Sequence, residues 1–388
     1  MAVGSTRQQK KRKPERYFDY SFLFIILFLL GFGLVMIYSS SSYDAFKDHD
    51  GDSAYYLKKQ FVATLLGLVL MAVAAIIPYQ IWKRFTVLAY IGSIMLLFLV
   101  RVPGLGYTAN GATRWIRIFG ITFQPAEVAK LGIIICLANL ISRMGRGIQT
   151  VKGFLFIFLL PFPMFLAIWQ VTENLSSAII VYGIGFIMLF VASPQYKVFM
   201  GIVATGSVLA VGLVFIITKI ASQSDNFRFD RVMAWLNPEA YPKDEGFQVL
   251  QSLYAIGSGG ILGKGLGRSI QKLGFLPESQ NDMIFSIICE ELGLFGGISI
   301  ILMFVLLLWR CMVIANNAPD LFGALLVVGV MGHIAIQVIL NIAVVTNTMP
   351  NTGISLPFIS YGGTSVLFLL IEMGIVMSVS LRIKLKDL

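Results

Sequence analysis

A succession of long, uninterrupted apolar runs restricts this chain more than any other feature. Phe22–Met36 and Ile298–Trp309 hold no charged residue. A helix rising 1.5 Å per residue needs about 20 such residues to cross a bilayer core about 30 Å thick. About ten runs of that kind follow one another, so the chain reads as an all-α polytopic membrane protein with about ten transmembrane helices. A transmembrane β-barrel would need short segments of alternating polarity, and continuous apolar runs exclude it. The composition agrees, since 57% of the 388 residues are hydrophobic and only 13% are charged, outside the range of soluble domains.

The spans fall near residues 20–39, 60–77, 85–100, 125–141, 153–169, 175–192, 198–217, 283–309, 321–345 and 364–381. Residues 1–19 form a basic tail, whose first sixteen hold Arg7, Lys10, Lys11, Arg12, Lys13 and Arg16 against the single acid Glu15. The first run is long enough to span and has no cleavage site after it, so the tail reads as a cytoplasmic anchor rather than a signal peptide or a nucleic-acid arm. Alternation from that start puts both termini in the cytoplasm, the second as a short basic tail over 382–388. Residues 20–381 then form one membrane domain, with a large extracytoplasmic loop over 219–282 between spans seven and eight. Each loop placed inside carries Lys or Arg, as Lys83, Arg84, Arg143, Arg146 and Arg310 do, in keeping with the positive-inside rule.

Basic residues on the other side break that rule. Arg101, Arg114 and Arg117 lie in one outer loop, and Lys219, Arg228, Arg231, Lys243, Lys264, Arg268 and Lys272 in the long one. Cations placed against the insertion bias point to an anionic ligand at the outer face, with anionic headgroups as the alternative. Gly259–Arg268 is glycine-rich with two cations, suited to a phosphate cradle or to a tightly turned re-entrant loop. Asp282 stands where this polar loop gives way to span eight, as an interfacial carboxylate or an ordinary helix cap.

Further polar positions lie within the spans. Glu127 and Lys130, three apart after Gln124-Pro125, share a helix face and can pair. Trp115, beside Arg114, suits an interface anchor or a sugar platform. Glu290 and Glu291 fall about 12 Å deeper than Asp282 and call for Lys, Arg or backbone partners. Gln337, Asn341 and Asn347 suit bonds across helices, and the run PNTGISLPFISYGG suits a structured re-entrant hairpin. Cys136, Cys289 and Cys311 follow no spacing pattern and read as packing residues. His49 and His333 are too few and too separated for a metal cluster.

Three stretches together resemble the SEDS family (shape, elongation, division and sporulation), whose branches are represented by FtsW, RodA and SpoVE. They are GATRWI with FQPAEVAK, then the run from Gly246 to Gly297, then MPNTGISLPFISYGGTS. The form QKLGFLPE is more similar to the division or sporulation branch than to the elongation branch. One departure stands out: where relatives often read Pro-Asp-Leu-Gly-Thr-Ala, this chain has Glu173-Asn174-Leu175-Ser176-Ser177-Ala178, so an amide replaces the carboxylate at 174 and Glu173 precedes it.

The resemblance implies a peptidoglycan glycosyltransferase of the bacterial inner membrane that polymerises lipid II onto a nascent glycan strand. It implies Asp282 as the catalytic carboxylate and general base, with undecaprenyl pyrophosphate leaving. Substrate contacts are expected from Arg114, Trp115, Gln124, Glu127, Lys130, Arg231, Lys264 and Arg268, with a divalent cation, Mg or Mn, as a further candidate. A class B penicillin-binding protein and other division or elongation proteins are the implied partners. Two other functions compete: a lipid II flippase using Glu127, Lys130, Glu290, Glu291 and Glu372 as a polar path, and a division scaffold without enzymatic activity.

Overall fold

The computed structural model describes residues 18–109, 112–118, 120–220, 227–241 and 245–383. The basic tail over 1–17, the chain from 384 on, Lys243, and the side chains of Lys219 and Arg228 lie outside the described residues. Among the described residues, nine helical stretches are long and apolar enough to cross a membrane, and a shorter apolar helix, Ser365–Ser380, makes a tenth. In chain order the helices are α1 (Tyr20–Asp48), α2 (Tyr55–Ile76), α3 (Thr86–Leu99, after a 3-10 stretch Tyr79–Phe85) and α4 (Pro125–Met144). Next come α5 (Val151–Leu159), α6 (Phe162–Val171), α7 (Leu175–Ala192), α8 (Tyr196–Ile220), α9 (Phe227–Leu236) and α10 (Glu245–Gly259). The last three are α11 (Ile284–Asn316), α12 (Leu321–Val345) and α13 (Ser365–Ser380). The ten expected spans correspond to α1 to α4, the α5–α6 pair, α7, α8 and α11 to α13.

Polar side chains fix the two ends of the bundle. At one end Asp19 starts α1 by accepting the Phe22 N–H at 2.9 Å, and it also takes Arg310 of α11 at 2.6 Å. Asp320 starts α12 through the Gly323 N–H at 2.7 Å and meets Lys83 at 3.3 Å. At the opposite end Thr364 donates to the Thr122 carbonyl at 3.0 Å, and the Tyr361 N–H donates to the Gln280 carbonyl at 2.9 Å. Trp235 and Asn347 exchange side-chain bonds to each other's carbonyls at 3.0 and 3.3 Å there. Loops expected on one side of the membrane thus share one end of the bundle. Alternating spans require that arrangement.

Four details differ from the sequence reading. Pro161 divides the expected fifth span into α5 and α6, because a proline supplies no N–H to continue the helix. The outer loop near 101–122 is not irregular but a three-stranded antiparallel sheet, β1 (Gly106–Ala109), β2 (Ala112–Ile118) and β3 (Ile121–Phe123). Besides α9, the short helix expected around Arg228, Arg231 and Trp235, the long loop holds a second helix, α10, whose Ser252 is buried between Ser286 of α11 and the Val345 carbonyl of α12, at 2.8 Å from each. Finally, α11 runs beyond the expected boundary to Asn316 and is broken at Gly293, where φ is +68°.

The glycine-rich loop fills that break. Lys264 and Gly265 donate their N–H groups to the Glu290 and Glu291 carbonyls at 3.0 and 2.9 Å. In return, Leu294 and Phe295 donate to the carbonyls of Gly260 and Ile261 at 2.9 and 3.2 Å. The helix loses its own ladder here and gains an equivalent one from the loop, so backbone polar groups stay satisfied at membrane depth. A β-carbon on Gly293 would lie 2.4 Å from the Gly263 nitrogen and from the Ile261 oxygen. Only glycine permits this approach.

Candidate active site

Asp282 precedes the N-cap of α11, Met283, by one residue, and is 7% exposed. It therefore lies just outside the cap position considered for it. Across from it runs the segment 350–363, the expected re-entrant hairpin, which is non-helical and buried at Ile354, Leu356, Phe358, Ile359 and Ser360. Gly353 of this segment has φ +65°, and a β-carbon there would stand 3.8 Å from Asp282 Oδ2. The carboxylate and the hairpin are neighbours.

Surrounding elements pin the hairpin by its backbone. Ser176 of α7 donates to the Thr352 carbonyl at 2.7 Å, and Gln337 and Asn341 of α12 donate to the Ser355 and Ile354 carbonyls at 3.0 and 2.7 Å. Gln60 of α2 accepts the Gly362 and Gly363 N–H groups at 3.3 and 3.2 Å. On α10, Gln248 accepts from Asn351 at 2.7 Å. Asn341 and Gln337 thus bond across helices as their chemistry suggested, and Asn347 docks α9 through Trp235.

Glu173 and the start of α7 connect the small sheet to this region. Arg114 lies in β2 at a bulge, unpaired between Trp115, opposite Tyr107, and Thr113, opposite Thr108. Its guanidinium donates to the Glu173 carbonyl at 3.0 Å, while Nε is buried with no protein partner. Burial first, and then the neighbouring Arg231 charge on α9, lower the Arg114 pKa, against a smaller opposing effect from Glu173. Two guanidinium groups that feel each other's charge form the kind of site an anion relieves. Glu173, at φ +51°, also meets Arg101 at 3.4 Å. Asn174 caps α7 by accepting the Ser177 N–H at 3.0 Å. Arg101 donates to the Val171 carbonyl at 2.9 Å, closing the end of α6.

The other expected contacts lie elsewhere. Glu127 and Lys130 form a buried ion pair at 2.7 Å in the first turns of α4, with side chains 8% and 2% exposed. Gln124 is the N-cap residue before Pro125, and Trp115 is half-buried on β2 opposite Tyr107. Lys264, another expected substrate contact, is engaged within the protein. Its ammonium meets Glu290 at 2.7 Å and Ser258 at 2.8 Å, and its N–H belongs to the ladder at the helix break. Arg268 is exposed. Glu290 and Glu291 have the partners they called for: Lys264, Ser269 and the Ile270 N–H on one, and Lys272 at 2.8 Å with Ser39 at 2.7 Å on the other. Glu372, the last residue of the considered polar path, meets His333 at 2.8 Å. Cys136, Cys289 and Cys311 are buried and free, as packing residues are.

Among the described residues no three His, Cys, Asp or Glu gather as ligands. A divalent ion at this end would draw ligands from water or substrate phosphates beside a protein carboxylate.

A bundle of apolar helices with a buried carboxylate facing a pinned hairpin, and a small sheet carrying arginines at the same end, defines a membrane protein whose distinctive chemistry sits at an interface. The chain belongs to the FtsW/RodA/SpoVE family of cell cycle proteins, whose model matches residues 20–385. It is a multi-pass protein of the bacterial inner membrane. It is 38% identical over 375 residues to a probable peptidoglycan glycosyltransferase FtsW from Geobacter sp. (strain M18), covering 96% of this chain and 99% of that one. Stage V sporulation protein E of Bacillus subtilis is 39% identical over 374 residues, covering 96% and 98%. Both names lie in the division and sporulation branches to which the QKLGFLPE run pointed. Among solved structures, a chain of a peptidoglycan synthase complex matches with a TM-score of 0.75 at 27% identity, over 94% of this chain and 97% of that one. Crystalline RodA from Thermus thermophilus matches with 0.66, also at 27% identity, over 94% and 96%.

Proposed function

We propose that this protein is a peptidoglycan glycosyltransferase that polymerises lipid II at the outer face of the inner membrane, with Asp282 as general base. The observation that carries the role of Asp282 is its placement: a nearly buried carboxylate at the expected outer end of the bundle, against Gly353 of the pinned hairpin. Asp282 takes the proton from the GlcNAc 4-hydroxyl of the acceptor lipid II. The oxygen then attacks C1 of the lipid-linked terminal MurNAc of the growing strand, with inversion, and the bond to undecaprenyl pyrophosphate breaks. Glycosidases use a second carboxyl to protonate the leaving oxygen. A pyrophosphate is stable as an anion, so cations can take that place.

Arg114 and Arg231 are the best-placed of the expected cations. Burial and the Arg231 charge lower the Arg114 pKa at the outer end, where the two lie near each other. A class B penicillin-binding protein is the partner the reading implies, since glycan strands need cross-linking.

The test is glycan polymerisation by purified protein on labelled lipid II, alone and with a class B penicillin-binding protein. Asp282→Asn is expected to lower the rate by about 100-fold or more, the scale of a lost general base. Polymerisation at the wild-type rate in that variant would remove Asp282 from the mechanism.

A further inference from the structure

Two segments far apart in the sequence meet at Asp282, and a single side chain joins them. Asn341 on α12 is 1% exposed. Its Nδ2 donates to the Asp282 carbonyl and to the Ile354 carbonyl, at 2.7 Å each. Both partners are acceptors and an asparagine amide has two N–H groups, so both donors are engaged and the amide orientation is fixed by its partners. Helical bonding in α11 begins one residue later, with the Ser286 N–H on the Met283 carbonyl at 3.0 Å. The Asp282 carbonyl therefore lies outside the helical ladder, and Asn341 supplies it with a donor. Ile354 directly follows Gly353, the residue the Asp282 carboxylate faces.

One amide thus ties the backbone of Asp282 itself to the hairpin opposite, beside the Tyr361 N–H bond to the Gln280 carbonyl. We infer that Asn341 is a positioning residue for the transferase reaction, an assignment that rests on Asp282 being the base. It touches neither substrate nor the reacting oxygen; it holds the aspartate in register with the hairpin against which the acceptor sugar must lie. The fold contains its own control. Gln337, one helical turn earlier on the same face of α12, donates to the Ser355 carbonyl at 3.0 Å. It makes the same kind of bond to the same hairpin and has no bond to Asp282. A purely structural role for these amides predicts that losing either has the same consequence. Positioning predicts that only Asn341 alters the chemical step.

The experiment measures initial polymerisation rates of the purified full-length protein across lipid II concentrations, together with the thermal midpoint. Asn341→Leu is expected to lower kcat by about 100-fold with KM little changed, the loss that a misplacement of about 1 Å brings. Gln337→Leu is expected to lower the thermal midpoint to a similar degree while keeping kcat within about threefold, since the reacting geometry is untouched. Asn341→Ser, with one donor left, is expected to fall between wild type and Asn341→Leu in kcat. Where a leucine variant does not fold, Asn341→Ser against Gln337→Ser carries the same comparison. Equal kcat losses at the two positions, or wild-type kcat in the Asn341 variants, would overturn the assignment. Asp282→Asn is measured alongside. Full activity there removes the base and this inference with it, whereas an inactive Asp282→Asn beside fully active Asn341 variants removes the positioning role alone.

Discussion

Arg114 carries the most specific demand at the scale of single residues. Its Nε is buried without a protein partner, its Nη2 holds the Glu173 carbonyl, and burial together with Arg231 disfavours its own charge. A leaving pyrophosphate gains negative charge as the bond to C1 breaks, so a cation here stabilises the transition state more than the bound substrate. Arg114→Ala is therefore expected to reduce kcat by about 10- to 100-fold in steady-state polymerisation assays, with a smaller effect on KM. Arg114→Lys keeps the charge but loses the planar fork, and recovery is expected to be partial. The exposed Arg268 provides the contrast: Arg268→Ala is expected to stay within about twofold of wild type. Sequence reading put both arginines in one set, because nothing in a string of residues tells a half-buried guanidinium from an exposed one. What tells them apart is tertiary: the Glu173 carbonyl and the Arg231 charge come to Arg114 from other elements, while Arg268 faces outward.

At the scale of elements, the spans were legible and their interruptions were not. Twenty apolar residues in a row can do little but cross a membrane as a helix, and that same apolar continuity over 153–169 hides the break that Pro161 makes between α5 and α6. Gly293 gives no notice either in a chain with 37 glycines. Its role depends on Gly263, Lys264 and Gly265 arriving from the loop, a pairing no local pattern encodes. The same holds for the pairs Lys264–Glu290 and Lys272–Glu291, whose carboxylates are fully buried. The need for partners at Glu290 and Glu291 followed from the cost of burying charge, but which lysines supply them did not. Removing one member leaves an uncompensated charge inside the bundle. Glu291→Gln is expected to cost about 3–5 kcal/mol of stability, and a paired Glu291→Leu/Lys272→Met variant clearly less. Gly293→Ala is expected to cost about 3 kcal/mol or more, because positive φ and backbone contact act together. Thermal denaturation in detergent, read beside polymerisation, checks all three. If the break serves to aim Asp282, activity falls in Gly293→Ala at temperatures where the protein is still folded.

For the whole molecule, the decisive property is which end of the bundle faces outward, since lipid II polymerisation belongs to that face. The charge rule puts the Asp19–Arg310 and Lys83–Asp320 end in the cytoplasm and the Asp282 end outside, although the outer end carries Arg101, Arg114, Arg117 and Arg231. The two ends can be labelled independently of activity. The native cysteines Cys136, Cys289 and Cys311 are buried and contribute little background. Tyr241, between α9 and α10, and Gln149, between α4 and α5, are both exposed, at opposite ends by the alternation of spans. A membrane-impermeant maleimide applied to intact spheroplasts is expected to label Tyr241→Cys and to leave Gln149→Cys unlabelled until the membrane is opened. The reverse pattern would put Asp282 on the cytoplasmic side, where the extracytoplasmic polymerisation reading could not stand. Equal labelling of both in intact cells would mean that the spans do not alternate as the end-to-end ties require. The outer placement of a basic end also has a kinetic consequence. If its cations serve the pyrophosphate rather than headgroups, added anionic lipid should change the polymerisation rate less than Arg114→Ala does.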